Sequence, residues 1–269
     1  MTRETAFAKI NLALHVRGRR DDGYHDIETL FAFVDAGDTI SAAPAPVDRV
    51  SVTGEFAGGL DNPFDNLVSK ALSVLPRPQG LHLTLEKALP VAAGLGGGSA
   101  DAGAVFRLVD RWHGLPADWQ ERASRLGADV PACVISEMAV GRGTGTALEP
   151  VTNDLAGTAV LLVNPRIALA TGPVFEAWDN KDHGSLPDGP ASAILAAGRN
   201  DLALPAITLC PAIAEVLGLL DSTTPIKAQM SGSGATCFAL YDSAEQRDEA
   251  KRKIAGSRPD WWTMAGALR

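Results

Sequence analysis

The 269-residue chain has little of several residue types that mark large classes of protein. Its only cysteines are Cys133, Cys210 and Cys237, which lie too far apart for a metal-binding pattern, so we expect reduced thiols in a cytoplasmic protein. The chain has no apolar stretch long enough to span a bilayer, and Lys9 and Asn11 interrupt its first apolar run. We therefore expect neither a membrane helix nor a signal peptide.

Positive charge is also scarce. The chain has 24 lysines and arginines against 32 aspartates and glutamates, which gives a formal net charge of −8. This balance argues against a nucleic acid or an anionic membrane as a partner held by bulk electrostatics. An anionic small molecule would need a local basic site.

The most distinctive segment, residues 89–103, joins a predicted strand to a predicted helix. Alternating apolar and polar residues over Leu81–Glu86 predict the strand. Apolar residues at helical spacing predict a helix over about Ala100–His113, with Ser99 as its N-cap. The segment between them is rich in glycine, and glycines let backbone N–H groups approach an anion at the end of a helix. The sequence therefore predicts a phosphate-binding loop.

This loop lacks the features of two common nucleotide-binding loops. A Walker A loop has lysine and then serine or threonine after its last glycine, whereas Gly98 is followed by Ser99 and Ala100. A dinucleotide-binding loop requires a final glycine at a position where this chain has Ser99 or Asp101. The predicted phosphate site therefore belongs to another class.

The first predicted strand, Ala6–Val16, carries unusual polar residues. Alternation places Lys9, Asn11 and His15 on one face, and the default expectation is that such a face meets water. After a basic turn come Tyr24 and His25, which offer an aromatic face and a neutral donor–acceptor pair suited to a planar base.

Periodicity and turn residues predict the remaining elements, in an arrangement typical of an α+β fold because strands and helices do not strictly alternate. Strands are predicted over Ile27–Ile40, Val50–Phe56, Ala132–Ile135, Thr158–Asn164, Lys227–Tyr241 (with a central loop) and Trp261–Leu268, with a proline-rich turn at 42–47. Helices are predicted after Asn66, over Pro116–Leu126 and around Ile213–Leu220.

Three polar residues beside these elements have two interpretations each. Asn66 would cap the helix that follows it or contact a ligand. Asp129 would stabilise its loop through local backbone hydrogen bonds or serve a site. Arg142, within the glycine-rich turn 141–145, would face solvent or touch a phosphate.

Three motifs, in the right order, resemble those of the GHMP kinases, the superfamily that includes galactokinase and the homoserine and mevalonate kinases. They are Ala8–Leu12, the loop Pro90–Ser99 and the second glycine motif Met230–Ala235. The resemblance covers nearly the whole chain. It implies an α+β fold with two GHMP kinase domains, over residues 1–151 and 152–269, and a cleft between them for substrate and ATP.

Two further segments, Asp22–His25 and Gly127–Pro131, resemble family members whose substrate is cytidine diphosphate methylerythritol. This resemblance implies transfer of the γ-phosphoryl group of ATP to the 2-hydroxyl group of that substrate, in isoprenoid precursor biosynthesis. Mg²⁺ is expected on the ATP phosphates, with either Ser99 as its nearest contact in the chain or phosphates and water as its main ligands, so the metal ligands are left unassigned. We expect a monomer or a weak homodimer.

The resemblance also implies residue roles. Asp129 would accept or orient the proton of the acceptor hydroxyl, Lys9 would neutralise charge on the transferred group, and the two would form an ion pair. The substrate would contact Asn11, Tyr24, His25, Thr171 and Phe175, with Tyr24 and Phe175 about the cytosine and His25 at its edge. ATP would bind the loop residues Pro90, Val91, Ala92, Ala93, Gly94, Leu95, Gly96, Gly97, Gly98, Ser99 and Ala100.

Two features depart from the family pattern. Asp101 stands where some members have asparagine, and its carboxylate must point away from the ATP phosphates. Ala92 and Ala93 replace a glycine or serine often found at the start of the loop, and because both are small we expect the loop to form.

Two other functions also compete with the one implied. One competitor is another GHMP kinase, acting on homoserine or mevalonate, which would not need Tyr24, His25 and Phe175. The other is an ATP-binding sensor or degenerate kinase, against which the presence of Lys9 and Asp129 argues.

Overall fold

The computed structural model describes residues 2–59 and 66–269, and over these residues it contains ten strands and nine α-helices. The strands are β1 Thr2–Arg19, β2 His25–Ala45, β3 Arg49–Thr53, β4 Gly80–Glu86, β5 Ala139–Gly143, β6 Ala147–Pro150, β7 Ala159–Asn164, β8 Lys227–Met230, β9 Cys237–Tyr241 and β10 Trp262–Ala267. The helices are α1 Leu67–Val74, α2 Gly97–His113, α3 Trp119–Leu126, α4 Val130–Ile135, α5 Thr171–Glu176, α6 Ala191–Ala197, α7 Ala203–Leu209, α8 Ala212–Asp221 and α9 Ala244–Ser257. In this described part of the chain, no helix has both the length and the apolar character that crossing a membrane requires.

The strands form two sheets, which together with the helices confirm the predicted α+β class. One sheet has the order β3-β4-β2-β5-β6, with β1 also paired to β2. Its pairs β2–β4, β2–β5 and β5–β6 are antiparallel, whereas β3 runs parallel to β4. The other sheet, β10-β7-β9-β8, is antiparallel throughout.

The chain divides into two compact units, each built from several segments. Unit 1 contains α1 to α4, β3 and β4 and comprises Met1–Lys9, Ala36–Val91 and Gly96–Ser136. Unit 2 contains β5 to β10 and α5 to α9 and comprises Ile10–Asp35, Ala92–Leu95 and Glu137–Arg269.

Each unit has an apolar core of its own. In unit 1 the middle of α2 is fully buried, and α4 packs so closely on it that a Cβ atom at Gly103 would overlap the backbone of Cys133. In unit 2 every residue of β7 and β9 is buried. Helix α8 places Ile213, Val216 and Leu220 in the same core, which follows from their helical spacing.

The structure confirms most predicted elements and corrects two of them. Residues 132–135 belong to helix α4 and are not a strand, because a short buried apolar run has no distinguishing periodicity and Pro131 is suited to the first turn of a helix.

The turn predicted over 42–47 begins later, because β2 continues to Ala45 and the chain bends at residues 46 and 47. Pro44 has no N–H group and lies opposite Leu81 of β4. Because the Leu81 N–H donates to Asp48 Oδ1 at 2.9 Å, it points away from β2, so Pro44 and Leu81 are not a hydrogen-bonded pair. The missing N–H of Pro44 therefore costs no hydrogen bond to β4.

Smaller differences concern helix ends and short helices. The helix predicted from Pro116 begins at Trp119, after a turn in which the Trp119 N–H donates to the Pro116 carbonyl at 3.0 Å. Helices α6 and α7, of seven residues each, were not predicted. Asn66 is the N-cap of α1, where its Oδ1 accepts from the Val68 N–H at 2.9 Å, which confirms the first of its two interpretations.

Candidate active site

The glycine loop leaves β4 and enters α2 through several left-handed backbone conformations. Ala92, Gly94 and Gly96 have φ angles of 53°, 75° and 58°, a region that strongly favours glycine. Gly94, in unit 2, has no room for a side chain, because a Cβ atom would lie 2.8 Å from the carbonyl oxygen of Gly234. The conformation and close packing explain why the sequence is glycine-rich here.

Helix α2 begins at Gly97 with Gly96 as its N-cap, so the prediction of Ser99 as N-cap is wrong. The helix starts earlier because Gly96 adopts the left-handed conformation and its carbonyl accepts from the Ala100 N–H at 2.7 Å. Gly96 has no side chain with which to cap the amides that follow it. The first turn of α2 therefore presents backbone N–H groups and the positive end of the helix dipole, which suits an anion.

Lys9 and Asp129 form an ion pair beside this turn. Lys9 Nζ lies 3.1 Å from Asp129 Oδ2, and both residues belong to unit 1. A Cβ atom at Gly96 would lie 2.9 Å from Lys9 Cε and 3.6 Å from Asp129 Oδ2, so the helix start packs directly on the pair. The predicted ion pair is confirmed, and it lies at the N-terminus of α2.

The two members of the pair differ in exposure. Lys9 is buried, and Asn11 on the same strand is buried as well, so the default expectation that this polar face meets water is wrong. The Asp129 side chain is 33% exposed. It occupies the N-cap position of α4 without making a capping hydrogen bond, so local helix capping does not explain its presence. A carboxylate placed in this way can accept a hydrogen bond from an incoming hydroxyl group, while Lys9 supplies fixed positive charge.

Unit 2 contains an aromatic cluster around His25. The His25 ring centroid lies 4.9 Å from that of Phe175 and 5.7 Å from that of Trp178, which meets it edge-on. Burial, followed by the nearby Arg19 charge, lowers the pKa of His25 below its usual value. His25 is therefore neutral at pH 7 and has one ring nitrogen as donor and the other as acceptor.

Trp178 was not predicted as part of this cluster. It is buried, and its indole Nε1 has no hydrogen-bond partner among the described residues. The sequence carried a usable signal, because Trp178 follows Phe175 by three residues and that spacing places two side chains on the same side of a helical turn.

The other predicted substrate contacts also lie in unit 2. Tyr24 is 65% exposed, and its N–H donates to Asp22 Oδ1 at 3.0 Å. The hydroxyl groups of Thr171 and Ser233 lie 3.0 Å apart. Asn11 Nδ2 donates to Thr29 Oγ1 at 2.7 Å, which fixes the orientation of its amide.

The second glycine motif is held against part of the loop within unit 2. Ser231 Oγ donates to the Gly94 carbonyl at 2.8 Å, and Asn200 Nδ2 donates to the carbonyls of Met230 and Gly232 at 2.8 and 2.9 Å. Asn200 was not predicted, because no local pattern marks it. These bonds fix the backbone of both glycine segments.

Arg142 has carboxylate partners on either side of its strand. Its guanidinium lies 2.7 Å from Glu28 Oε1 and 3.0 Å from Glu149 Oε2, on the neighbouring strands β2 and β6. The residue stabilises this sheet edge through ion pairs.

Comparison with known proteins supports the expected family. Residues 66–137 match the family model for the GHMP kinases N terminal domain, and residues 187–258 match that for GHMP kinases C terminal. A protein of Erythrobacter litoralis (strain HTCC2594) named 4-diphosphocytidyl-2-C-methyl-D-erythritol kinase is 65% identical, with 100% of each chain covered. A protein of the same name from Novosphingobium aromaticivorans is 67% identical, covering 99% of this chain and 93% of its own. A crystal structure of a 4-(cytidine 5'-diphospho)-2C-methyl-D-erythritol kinase matches with a TM-score of 0.83 and 32% identity, over 99% of both chains.

Proposed function

The chain belongs to the GHMP kinase family, and on that premise we propose that it transfers the γ-phosphoryl group of ATP to the 2-hydroxyl group of 4-diphosphocytidyl-2-C-methyl-D-erythritol. The products are ADP and the 2-phosphate, an intermediate on the way to isoprenoid precursors. The relatives that cover the full chain carry the name of this activity.

One observation carries the proposal: the Lys9–Asp129 ion pair packs on Gly96 at the N-terminus of α2. A helix N-terminus binds phosphate oxygens through its amides. A carboxylate and an ammonium group at the same place supply a proton acceptor and a fixed positive charge. Phosphoryl transfer to a hydroxyl group needs these elements together.

Each member of the pair has a distinct role in the proposed reaction. Asp129 Oδ accepts a hydrogen bond from the attacking 2-hydroxyl and receives its proton as the new P–O bond forms and the bond from the γ-phosphorus to the ADP oxygen breaks. Lys9 Nζ stabilises the negative charge on the transferred group. Because both groups are held before the substrate arrives, little reorganisation is needed during the transfer.

ATP is proposed to bind to the loop residues 90–100, with its phosphates at the first turn of α2. Mg²⁺ is proposed to arrive bound to the ATP phosphates. Within residues 2–59 and 66–269, no group of three or more histidine, cysteine, aspartate and glutamate side chains is arranged to hold a metal ion. Mg²⁺ in kinases is commonly held by phosphates and water, and its charge would neutralise the β- and γ-phosphates.

The residues of unit 2 are proposed to recognise the cytidine. The neutral His25 ring, fixed by Phe175 and Trp178, offers a donor and an acceptor to the edge of the cytosine. Tyr24 and Phe175 supply ring faces on which the base stacks. Asn11 and Thr171 are proposed to contact the rest of the substrate. A site that depends on such hydrogen bonds rejects analogues that lack the matching groups.

The test is coupled ADP release with three acceptors: the cytidine diphosphate substrate, homoserine and mevalonate. We expect turnover with the first alone. Turnover with homoserine or mevalonate instead would identify a different GHMP kinase. ATP binding measured by calorimetry, without turnover of any acceptor, would identify an ATP-dependent binding protein.

We further propose that the protein works in the cytoplasm as a monomer or weak homodimer, without a nucleic-acid or membrane partner, and that its family domains divide at residues 151 and 152. Sedimentation velocity over a range of protein concentrations measures the oligomeric state. Limited proteolysis checks the domain division, since a first cleavage near residue 151 would support it and first cleavage elsewhere would contradict it.

A further inference from the structure

A buried cluster of three charged residues lies in unit 1, apart from the Lys9–Asp129 pair. Lys87 Nζ forms ion pairs with Asp38 Oδ2 and, at 2.9 Å, with Asp101 Oδ2. All three side chains are at most 3% exposed. The reaction as proposed above uses none of them.

The cluster connects the two segments that flank the glycine loop. Lys87 immediately follows β4, before the loop, and Asp101 lies in the second turn of α2, after it. Asp38 Oδ1 also accepts from the N–H groups of Ala88 and Leu89 at 2.6 and 2.8 Å. Hydrogen bonds to Asp38 therefore connect the segment that enters the loop to β2. The ion pair between Lys87 and Asp101 connects the same segment to α2, which follows the loop.

The ammonium group lies close to the beginning of that helix. A Cβ atom at Gly97, the first residue of α2, would lie 3.5 Å from Lys87 Nζ. A shift of Lys87 by even one ångström would therefore change its packing against the turn that presents the phosphate-binding amides. Because the proposed function places the ATP phosphates on those amides, such a shift would weaken ATP binding.

Burying two carboxylates with one ammonium group costs folding free energy, which a purely structural element would not need to spend. One ammonium group faces two carboxylates, and Asp101 Oδ1 is buried with no hydrogen-bond partner in the described structure. Burial raises the pKa of Asp101 to about 7, against the opposing effect of Lys87, while the charge of Asp38 raises it further. Apolar residues in such a place are often at least as stable as buried ions. The arrangement therefore favours a role in precise placement over a role in stability.

We propose that Lys87 is a positioning residue, which acts through Asp38 and Asp101 to hold the glycine loop in the shape that binds ATP. The inference rests on the proposed function, since it takes ATP as the ligand of this loop. It gives Asp101 a role, because its carboxylate binds Lys87 at 2.9 Å.

The decisive comparison is Asp101→Ala with Asp101→Asn. The alanine variant removes the ion pair between Lys87 and α2 but leaves the Lys87–Asp38 pair, which has no net charge. The core of this variant therefore contains no unpaired ion. The asparagine variant keeps an oxygen that accepts from Lys87. We expect D101A to weaken ATP binding and raise the KM for ATP about tenfold, with kcat and the acceptor KM within about threefold. D101N should restore ATP binding to within about twofold of the parent chain.

Glu4→Ala is the matched control for a general loss of stability. Glu4 pairs with Arg107 and Arg111 on the same helix α2, several turns beyond the loop, at 2.8 and 2.5 Å. We expect E4A to lower the melting temperature without changing the KM for ATP. An equal rise of that KM in E4A and D101A would overturn the proposal, and so would unchanged ATP binding in D101A.

Calorimetry with ATP alone separates this inference from the proposed function. If the parent chain binds no ATP, the proposed function fails. If the parent and D101A bind ATP equally, only the positioning role fails. If D101A is too unstable for kinetics, amide hydrogen exchange at low temperature tests the proposal instead. Faster exchange in D101A confined to residues 88–98 supports the proposal, whereas a uniform increase over unit 1 contradicts it.

Discussion

Lys9 Nζ and Asp129 Oδ2 lie 3.1 Å apart, although 119 residues separate them in the chain. The ammonium group is buried, the carboxylate is partly exposed, and the turn at Gly96 packs on both. A fixed charge and a hydrogen-bond acceptor therefore meet the N-terminus of α2 at one point.

The Lys9 charge is expected to act mainly in the transition state. Lys9→Ala should reduce kcat by about a hundredfold or more, because it removes a cation held beside the transferred group before the reaction starts. The KM for the acceptor should change much less. Steady-state kinetics at saturating ATP measures the effect, and circular dichroism confirms that the variant is folded. Near-normal turnover of this variant would remove Lys9 from the mechanism.

Gly94→Ala is expected to destabilise the protein by about 2 kcal/mol or more, since it places a Cβ atom against the backbone of the second glycine motif and requires a left-handed alanine. The matched control is Gly218→Ala in the exposed part of α8, where a Cβ atom meets nothing within 4 Å. That variant should gain about 0.5–1 kcal/mol from helix propensity. Urea unfolding of the two variants compares them directly, and equal stabilities would show that the packing at Gly94 is unimportant.

Recognition of the acceptor should depend on pH through His25. Its pKa lies below the usual value near 6.5, so the ring is neutral at pH 7 and gains a proton only in more acidic solution. We expect the KM for the cytidine substrate to be constant from about pH 8 to pH 6.5 and to rise below that range, where the acceptor nitrogen is lost. In His25→Gln the KM should be raised at every pH and should not rise further in acidic solution. An identical pH profile in the parent and in H25Q would exclude His25 as its source.

Asp101 should also affect how stability depends on pH. Its pKa is raised to about 7 in the folded protein, so between about pH 4 and pH 7 the folded state holds a proton that the unfolded chain has released. The contribution of Asp101 therefore lowers the free energy of unfolding as the pH rises through this range.

Asp101→Asn removes that contribution. The parent should therefore lose stability relative to D101N as the pH rises from about 5 to about 8. We expect the difference in melting temperature, D101N minus parent, to grow by several degrees over this range, since 1 kcal/mol corresponds to about 2–4 °C for a protein of about this size. Scanning calorimetry at a series of pH values measures it. A difference that stays constant with pH would show that Asp101 is ionised throughout.

Much of the fold could be predicted from the sequence, because long amphipathic elements have a clear period. The strand β1, the helix α8 and the strand–loop–strand around the second glycine motif are examples. Short elements were less predictable. The run Ala132–Ile135 is apolar and buried on all sides, so its period cannot distinguish a strand from the helix turn that it forms.

The site was predictable only in part, since its contacts join residues that are distant in sequence. The glycines between a predicted strand and a predicted helix were enough to predict an anion-binding site. The pairing of Lys9 with Asp129, in contrast, was expected from the family resemblance alone. No local pattern marks Lys87, whose partners Asp38 and Asp101 are 49 and 14 residues away. Burial of these ions depends on tertiary packing, which single-sequence periodicity does not report.

Asp129 is proposed to receive the acceptor proton while the loop binds ATP, and a single-turnover experiment separates these two roles. The parent chain and Asp129→Asn are incubated with ATP and the cytidine diphosphate substrate, and the phosphorylated product and ADP are followed by mass spectrometry in a single-turnover experiment. We predict one phosphate added per ADP in the parent, and in D129N a rate lower by about a hundredfold to ten-thousandfold with ATP affinity retained. Product formation by D129N at the rate of the parent would show that Asp129 does not receive the proton.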